Sequence, residues 1–360
     1  MLIFSGAPAG AQYVKYVEYV GLGKPAIARL KKKLAEGDTA AKRAYAGFQS
    51  LAGKALGEEP HPIDTIRSEG LLEGNPKKVA THAALADMPR MYALALVYRV
   101  SGDKRYLQKA AAFLKAWAVQ NTPNGDPIDD TNLDNAIEAY DMIKDKLAFD
   151  EDASIRDWLK RTADIEISGP RNSPRRATSV NNWHSHRLKV LGEIAWAIGD
   201  TALQRYTIDG LMTQIDRNLK PDGSSIDFES RDALHYHVYD LEPLLKLSII
   251  LKRATGKDYY RYTSPSGCSI QKSVTWLLPF VTGEKTHPEF VNSTVAFDRQ
   301  RAQNGQAEYK AGTLWDPRNG IATLLLASYF DPSLLPAARQ RMATVPNRSA
   351  WQLVVNDLLR

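Results

Sequence analysis

Seven consecutive residues, Asn181-Asn182-Trp183-His184-Ser185-His186-Arg187, carry two amides, an indole, two imidazoles and a guanidinium. So many hydrogen-bonding and titratable groups make poor core material and suit a site that grips an anion and moves a proton. The apolar residues Leu188, Val190, Leu191, Ile194, Ala195 and Trp196 follow directly, so the cluster stands at the start of a buried helix. Ser179, Asn181 and Asn182 are residue types that cap helix N-termini, and the free N–H groups there favour a bound carboxylate. Asn182 and His184 are two apart, so they reach one ligand together only in an extended or helix-start conformation. Trp183 offers a flat face for a sugar ring, although a core indole is an equally ordinary use of tryptophan. His186 reads as a supporting or structural group.

A second loaded stretch, Arg231-Asp-Ala-Leu-His-Tyr-His-Val-Tyr239, lies further on. As a helix it would put Arg231, His235, Tyr239 and Glu242 on one face. Leu234, Val238, Leu241 and Leu245 form an adjacent apolar stripe. Each of these polar groups alone is more often a hydrogen-bonded core residue; four in line point to a site facing the first stretch across a cleft. Asn, His, Arg and Tyr together suit β-elimination on a uronic acid. The C5 proton lies beside a carboxylate whose charge opposes carbanion formation. Hydrogen bonds to that carboxylate let negative charge spread onto it in the transition state. A tyrosine near the C5 proton and the glycosidic oxygen would serve as acid, base or both. Its ordinary pKa of about 10 would be pushed down by nearby arginine and protonated histidine.

At 360 residues the chain can bury a large core as one domain or two. No break in composition marks a boundary, so a single domain over residues 1–360 is expected. The formal net charge of +6 is spread along the chain, with Lys31-Lys32-Lys33 and Arg175-Arg176 as the compact clusters. An acidic polymer fits that mild bias, and an acidic polysaccharide is expected in preference to nucleic acid. No apolar run approaches the roughly 20 residues that span a bilayer, so no membrane partner is expected. Cys268 is the only cysteine, which excludes a disulfide framework and a thiolate zinc cluster. No HExxH occurs, and neither a metal nor a cofactor is expected. The first ten residues lack the basic and apolar regions of a secretory signal. That leaves open a cytoplasmic protein, or a periplasmic or secreted one whose signal has been removed.

Helical periodicity runs over residues 26–56, 85–100, 106–119, 132–147 and 154–167, then up to Ile198, over 202–219 and over 239–254. Shorter apolar stretches follow at 276–280 and 321–329. Residues 58–75 and 169–178 read as loops. Ser101-Gly102-Asp103, Gly199-Asp200 and Pro221-Asp222-Gly223 read as turns, so successive helices form hairpins. Alternating strands and a fixed repeat are both absent. The expected fold is all-α, an (α/α) toroid of about five to seven antiparallel hairpins or an irregular bundle, with an α-solenoid as the alternative.

Taken together, Asn181-Asn182-Trp183-His184-Ser185 and Arg231 to Tyr239 resemble the alginate lyase superfamily. Its members include the family 5 mannuronate-type lyases and the family 38 glucuronan and alginate lyases. Ala86-Asp87 to Trp117, with Gly102-Asp103 and Tyr106, looks like the helix pair that precedes the catalytic region in these enzymes. The likeness covers roughly residues 80–255. It implies an (α/α) toroid and a periplasmic or secreted polysaccharide lyase. That lyase would cut glucuronan, alginate or polymannuronate without a metal, leaving 4,5-unsaturated uronate ends. It further implies that Asn182 and His184 face the substrate carboxylate, His184 also serving as base for one C5 epimer. Tyr239 becomes the acid, and the base for syn elimination, with Arg231 holding charge near it. Two departures stand out. Family 5 has Asn-Asn directly followed by His, where Trp183 intervenes here. Its arginine directly precedes the Ala-Leu-His or Ala-Tyr-His segment, where this chain has Asp232. The 55 residues separating His184 from Tyr239 look more like family 38.

A polyuronate carries one charge per sugar, so Arg187, Arg299 and Arg301, with Trp183 and His235, are expected along its groove. Solvated surface arginines are the plainer alternative. Two rival readings remain at this level. A glycoside hydrolase on the same toroid needs two carboxylates flanking the bond, for which Asp227, Glu229 and Glu242 are the candidates. A helical module that binds anionic polysaccharide needs no catalytic group at all.

Overall fold

The computed structural model describes residues 17–345 and 350–360. Among them, β-pairing is confined to the isolated bridges Leu219–Ser225 and Pro288–Leu314. The first α-helices in chain order are α1 (Lys24–Glu36), α2 (Thr39–Ala55), α3 (Pro76–Leu85), α4 (Asp87–Ser101), α5 (Lys104–Gln120) and α6 (Pro127–Asp130). The middle of the chain forms α7 (Asp134–Ile143), α8 (Phe149–Ser168), α9 (Asn182–Ile198), α10 (Thr201–Asn218), α11 (Ile226–Arg231) and α12 (Leu234–Thr255). The last are α13 (Ile270–Thr282), α14 (Ala296–Gln303), α15 (Ile321–Ala327), α16 (Leu335–Met342) and α17 (Trp351–Leu359).

Packing contacts close a circuit from α2 through α4, α7, α9, α12, α15 and α17 back to α2. Helices α5, α8, α10, α13 and α16 lie against the outside of that circuit. This is the expected all-α toroid, with a continuous core running from Leu22 to Leu358. Position in the ring decides what a helix must bury. α9 touches α7, α8, α10 and α12, and every residue from Ser185 to Ile198 is buried. Polar side chains on such a helix require partners supplied by its neighbours.

One two-residue turn recurs at Gly37-Asp38, Gly102-Asp103 and Gly199-Asp200. Each glycine ends a helix with φ of 86°, 77° and 74° respectively, a left-handed conformation that costs glycine nothing. Each aspartate then caps the next helix, accepting from the backbone N–H of Ala41, Arg105 and Leu203. The helix expected over 26–56 is therefore two helices, broken at Gly37-Asp38. Its apolar period simply continues through the turn. The loop expected at 58–75 is a loop, pinned by Asp129 Oδ1, which accepts from Ser68 N at 2.8 Å, Ser68 Oγ at 2.7 Å and Glu69 N at 3.0 Å.

Candidate active site

The first turn of α9 assembles one half of the site. Asn181 is the N-cap, and its side chain accepts from Trp183 N at 3.1 Å. Asn182 is buried and held by Asp227 of α11. Its backbone N–H donates to Asp227 Oδ2 at 2.8 Å, and its amide nitrogen donates to Oδ1. Asn218 Nδ2 donates to the same Asp227 Oδ2 at 2.9 Å. His184 is half-buried, and no group of the protein bonds its Nδ1. Burial, followed by the charges of Arg187 and Arg217, lowers its pKa to about 4. His184 is therefore a neutral imidazole at ordinary pH.

The first turns of α9 and α12 lie side by side, not on opposite walls as the sequence suggests. Ser185 Oγ donates to Asp240 Oδ1 at 2.6 Å. The His186 ring lies against the Tyr239 ring with centroids 4.3 Å apart. Burial lowers the pKa of His186 to about 3, so one ring nitrogen donates and the other accepts. Nε2 donates to the Tyr239 carbonyl at 3.1 Å, and Nδ1 accepts from Thr131 Oγ1 at 2.9 Å. Lys189 in turn donates to Thr131 Oγ1 at 2.6 Å. His186 thus fixes the backbone that carries Tyr239.

Arg231 does not share a helix face with His235 and Tyr239. Asp232, at φ 49° and ψ 50°, ends α11, and α12 starts only at Leu234. A left-handed non-glycine residue is strained and persists where its surroundings hold it. Here Asp232 Oδ2 accepts from Asn292 N at 2.9 Å and Asn292 Nδ2 at 3.0 Å. Glu289 completes the start of α12, accepting from Leu234 N at 2.7 Å and His235 N at 3.0 Å. Arg231 sits 3.9 Å above the Tyr236 ring and pairs with Asp298 at 2.5 Å. Arg301 donates to Tyr236 Oη at 2.6 Å and lies 4.7 Å from the Tyr309 ring centre. His235 packs edge-on to Tyr309 at 5.6 Å and parallel to Tyr239 at 6.5 Å. Asn304 Nδ2 reaches across to the Glu73 carbonyl at 3.2 Å, so the 58–75 loop and the segment carrying α14 meet beside the site.

Tyr239 is half-buried. Burial, then the negative charge of Glu69, pushes its pKa up from the ordinary value. That is opposite to the lowering expected from nearby arginine and histidine. The arginines lie over Tyr236 and Tyr309, and the histidines near Tyr239 are neutral. At rest Tyr239 is a protonated acid next to a face of unprotonated imidazoles.

The sequence pattern of the alginate lyase family matches residues 29–287. The chain belongs to that family. It is accordingly a polysaccharide lyase acting on a polyuronate. Among solved structures, an alginate lyase from Bacteroides ovatus is similar with a TM-score of 0.72 and 20% identity, over 94% of this chain and 98% of that one. Alginate lyase A1-III from Sphingomonas species A1 is similar with a TM-score of 0.60 and 19% identity, over 86% of this chain and 97% of that one. At these identities the likeness speaks for the fold. No curated protein matches the chain.

Within this lyase the residues singled out from the sequence divide. Asn182, Trp183 and His184 share the first turn of α9; His235 and Tyr239 share the start of α12. Arg231 and Arg301 join the latter through Tyr236. Arg299 is exposed, and its Nη1 lies 3.4 Å from the Ser293 carbonyl. Arg187 is inside: it is 0% exposed, and its Nε donates to Glu166 at 2.8 Å. It lines no groove, because from Ser185 onward every residue of α9 is buried. The carboxylates of the hydrolase reading are dispersed. Asp227 clamps Asn182, Glu229 is exposed and pairs with Lys220 at 2.9 Å, and Glu242 accepts from Thr323 Oγ1 at 3.2 Å. Tyr236, Glu289, Asp298, Tyr309 and Glu69 escaped the sequence reading, and Asp227 entered it only as a hydrolase carboxylate, not as the group that holds Asn182. Only Tyr236 carried a local signal, being inside the second motif. Among the described residues, no three His, Cys, Asp or Glu side chains are grouped as a metal ion requires.

Proposed function

We propose that this lyase cleaves its polyuronate by β-elimination, with Tyr239 as the acid and Asn182 and His184 at the substrate carboxylate. The observation that carries this reading is the packing of the start of α9 on the start of α12: the His186 ring, two residues on from His184, lies 4.3 Å from the Tyr239 ring, and burial keeps that phenol protonated and the His184 imidazole neutral. The Asn182 amide N–H not given to Asp227, with the dipole of the α9 N-terminus, lowers the energy of the charge that develops on the carboxylate. As the C5–H bond breaks, its electron pair forms the C4=C5 double bond and the C4–O4 bond opens. Tyr239 gives its proton to the departing O4. His184 takes the C5 proton where that proton lies on the opposite sugar face. Where it lies on the same face, Tyr239 must first pass its own proton on. Arg301 and Arg231 supply positive charge for the neighbouring sugars, and Trp183 and His235 supply flat surfaces.

Glucuronan, polymannuronate and related alginates are the proposed substrates, met in the periplasm or outside the cell, since a long anionic polymer does not diffuse through a membrane. Among the described residues no helix is long and apolar enough to cross one. The continuous ring and core support a single domain. A panel of defined polyuronates, followed by ultraviolet absorbance of the conjugated product and by product mass, tests this directly. Turnover of at least one polymer with unsaturated ends is expected. Chain cleavage adding water, without new absorbance, would replace elimination by hydrolysis.

A further inference from the structure

A half-open cavity of about 270 Å³ lies toward the other ends of α9 and α12. Glu193 stands about 14 Å along α9 from His184, and Arg253 about 21 Å along α12 from Tyr239, at 1.5 Å per residue. The cavity is therefore separate from the site described above. Its wall has an aromatic part and a charged part. Phe48 meets Trp351 edge-on at 4.8 Å and Tyr92 at 5.4 Å, and Trp351 Nε1 donates to Tyr92 Oη at 3.0 Å. Opposite chemistry comes from Glu138 of α7, Glu193 of α9 and Lys246 of α12.

The local cations are already engaged elsewhere. Lys246 pairs with Asp134 Oδ2 at 2.8 Å, and Lys189 pairs with Asp134 Oδ1. Arg253 donates to the backbone carbonyls of Glu18, Tyr19, Val20 and Gly21. Glu193 is 2% exposed, and its Oε2 has no hydrogen-bond partner in the protein. A buried carboxylate oxygen without a donor is costly, so the Glu193 carboxyl has a hydrogen bond still to make.

We propose that this cavity binds a small organic ammonium ion, its charged head between Glu193 and Glu138 and its aliphatic body against Phe48, Tyr92 and Trp351. Aromatic faces attract cations, and carboxylates supply the hydrogen-bond acceptors an ammonium requires. At about 30 Å³ per water, the space equals about nine waters, enough for a short diamine. Protons fill the role in the free protein. Burial raises Glu138 to about 7, with Lys246 and Lys189 pulling down and Asp134 pushing up. Burial also holds Glu193 well above its ordinary value, Asp134 and Glu138 adding to the effect against Lys189 and Lys246. An incoming ammonium displaces those protons, so binding strengthens as pH rises.

Titration calorimetry of the full chain with 1,4-diaminobutane, and with glucuronate as the anionic control, tests the assignment. Diamine binding is expected, tighter at pH 8 than at pH 6 by about tenfold, with proton release seen as a dependence on buffer ionisation heat. Glu193→Gln is expected to weaken binding about tenfold or more while leaving polyuronate turnover unchanged. Glu138→Gln serves as the second variant, and thermal unfolding confirms that both are folded. No binding of the diamine, binding of glucuronate in its place, or diamine binding that survives both substitutions overturns the proposal.

Discussion

The two ends of α9 and α12 handle buried polarity in opposite ways. At their first turns, burial keeps His184, His186 and His235 unprotonated and Tyr239 protonated. Further along the same helices, Lys189 of α9 and Lys246 of α12 are charged and paired with Asp134 of α7. Burial pushes Asp134 up, but Lys189 and Lys246 outweigh it and hold that carboxyl below its usual range. Asp134 likewise keeps Lys246 charged against burial. A buried charge survives where a partner is built in. Where none is built in, the group goes neutral and leaves room for a charge that arrives with the substrate. The chain Lys189–Thr131–His186–Tyr239 joins the two regimes.

Breaking each end separately should give different phenotypes. At the first turn, His184→Gln is expected to lower turnover by about 10²-fold or more with little change in stability, as its Nδ1 has no protein partner. Steady-state kinetics and thermal unfolding on the same preparation check both halves. At the charged end, Lys189→Met leaves Asp134 with one of its two cations. A loss of about 3 kcal/mol is expected, read by urea unfolding, with turnover per folded molecule nearly unchanged. An equal loss of turnover there would mean that the ends are not independent.

A finer cut lies between them, at Asp227. Replacing it by Asn puts an amide where a carboxylate accepts from three donors, two from Asn182 and one from Asn218. The expected cost is about 1–3 kcal/mol, showing as a fall in kcat larger than the change in KM. Equal changes in both would mean that Asp227 supports the fold without aiming Asn182. The smallest effect concerns His237, which is buried, accepts from Ser225 Oγ at 2.9 Å, and contacts the Ser273 carbonyl at 3.3 Å. Burial lowers its pKa from 6.5 to about 4. Between those values the unfolded chain binds the proton and the folded chain does not, so its contribution is present above pH 6.5 and lost as pH falls toward 4. His237→Gln, with no such titration, should be less stable than the parent at pH 7 by about 1 kcal/mol. The gap should shrink at pH 5.

Much of this was legible in the chain. The α9 cluster declared itself because its polar groups are contiguous and precede an apolar helix. The hairpins were marked by Gly-Asp turns, although Gly37-Asp38 hid inside a continuous apolar period. The errors share a cause, namely neighbours distant in sequence. Asp232 takes a left-handed turn held by Asn292, which removes Arg231 from the α12 face. Arg187 is enclosed because α9 is central to the ring. Tyr239 rises in pKa because burial and Glu69 act on it, while Asp298 draws Arg231 to Tyr236. Glu289 and Tyr309 come from a stretch with no periodic pattern, so nothing local announced that they cover the start of α12; Arg301, from the same stretch, was marked only by its charge.

The central claim is that Tyr239 transfers the proton while the α9 turn holds the substrate. Tyr239→Phe, compared with the parent on a polyuronate that the parent cleaves, tests it most directly through the rate of unsaturated-product absorbance and the calorimetric affinity for the polymer. The expected result is a fall in rate of about 10³-fold or more with affinity nearly unchanged. A variant that turns over at the parent's rate, or one that loses binding as well, would contradict it.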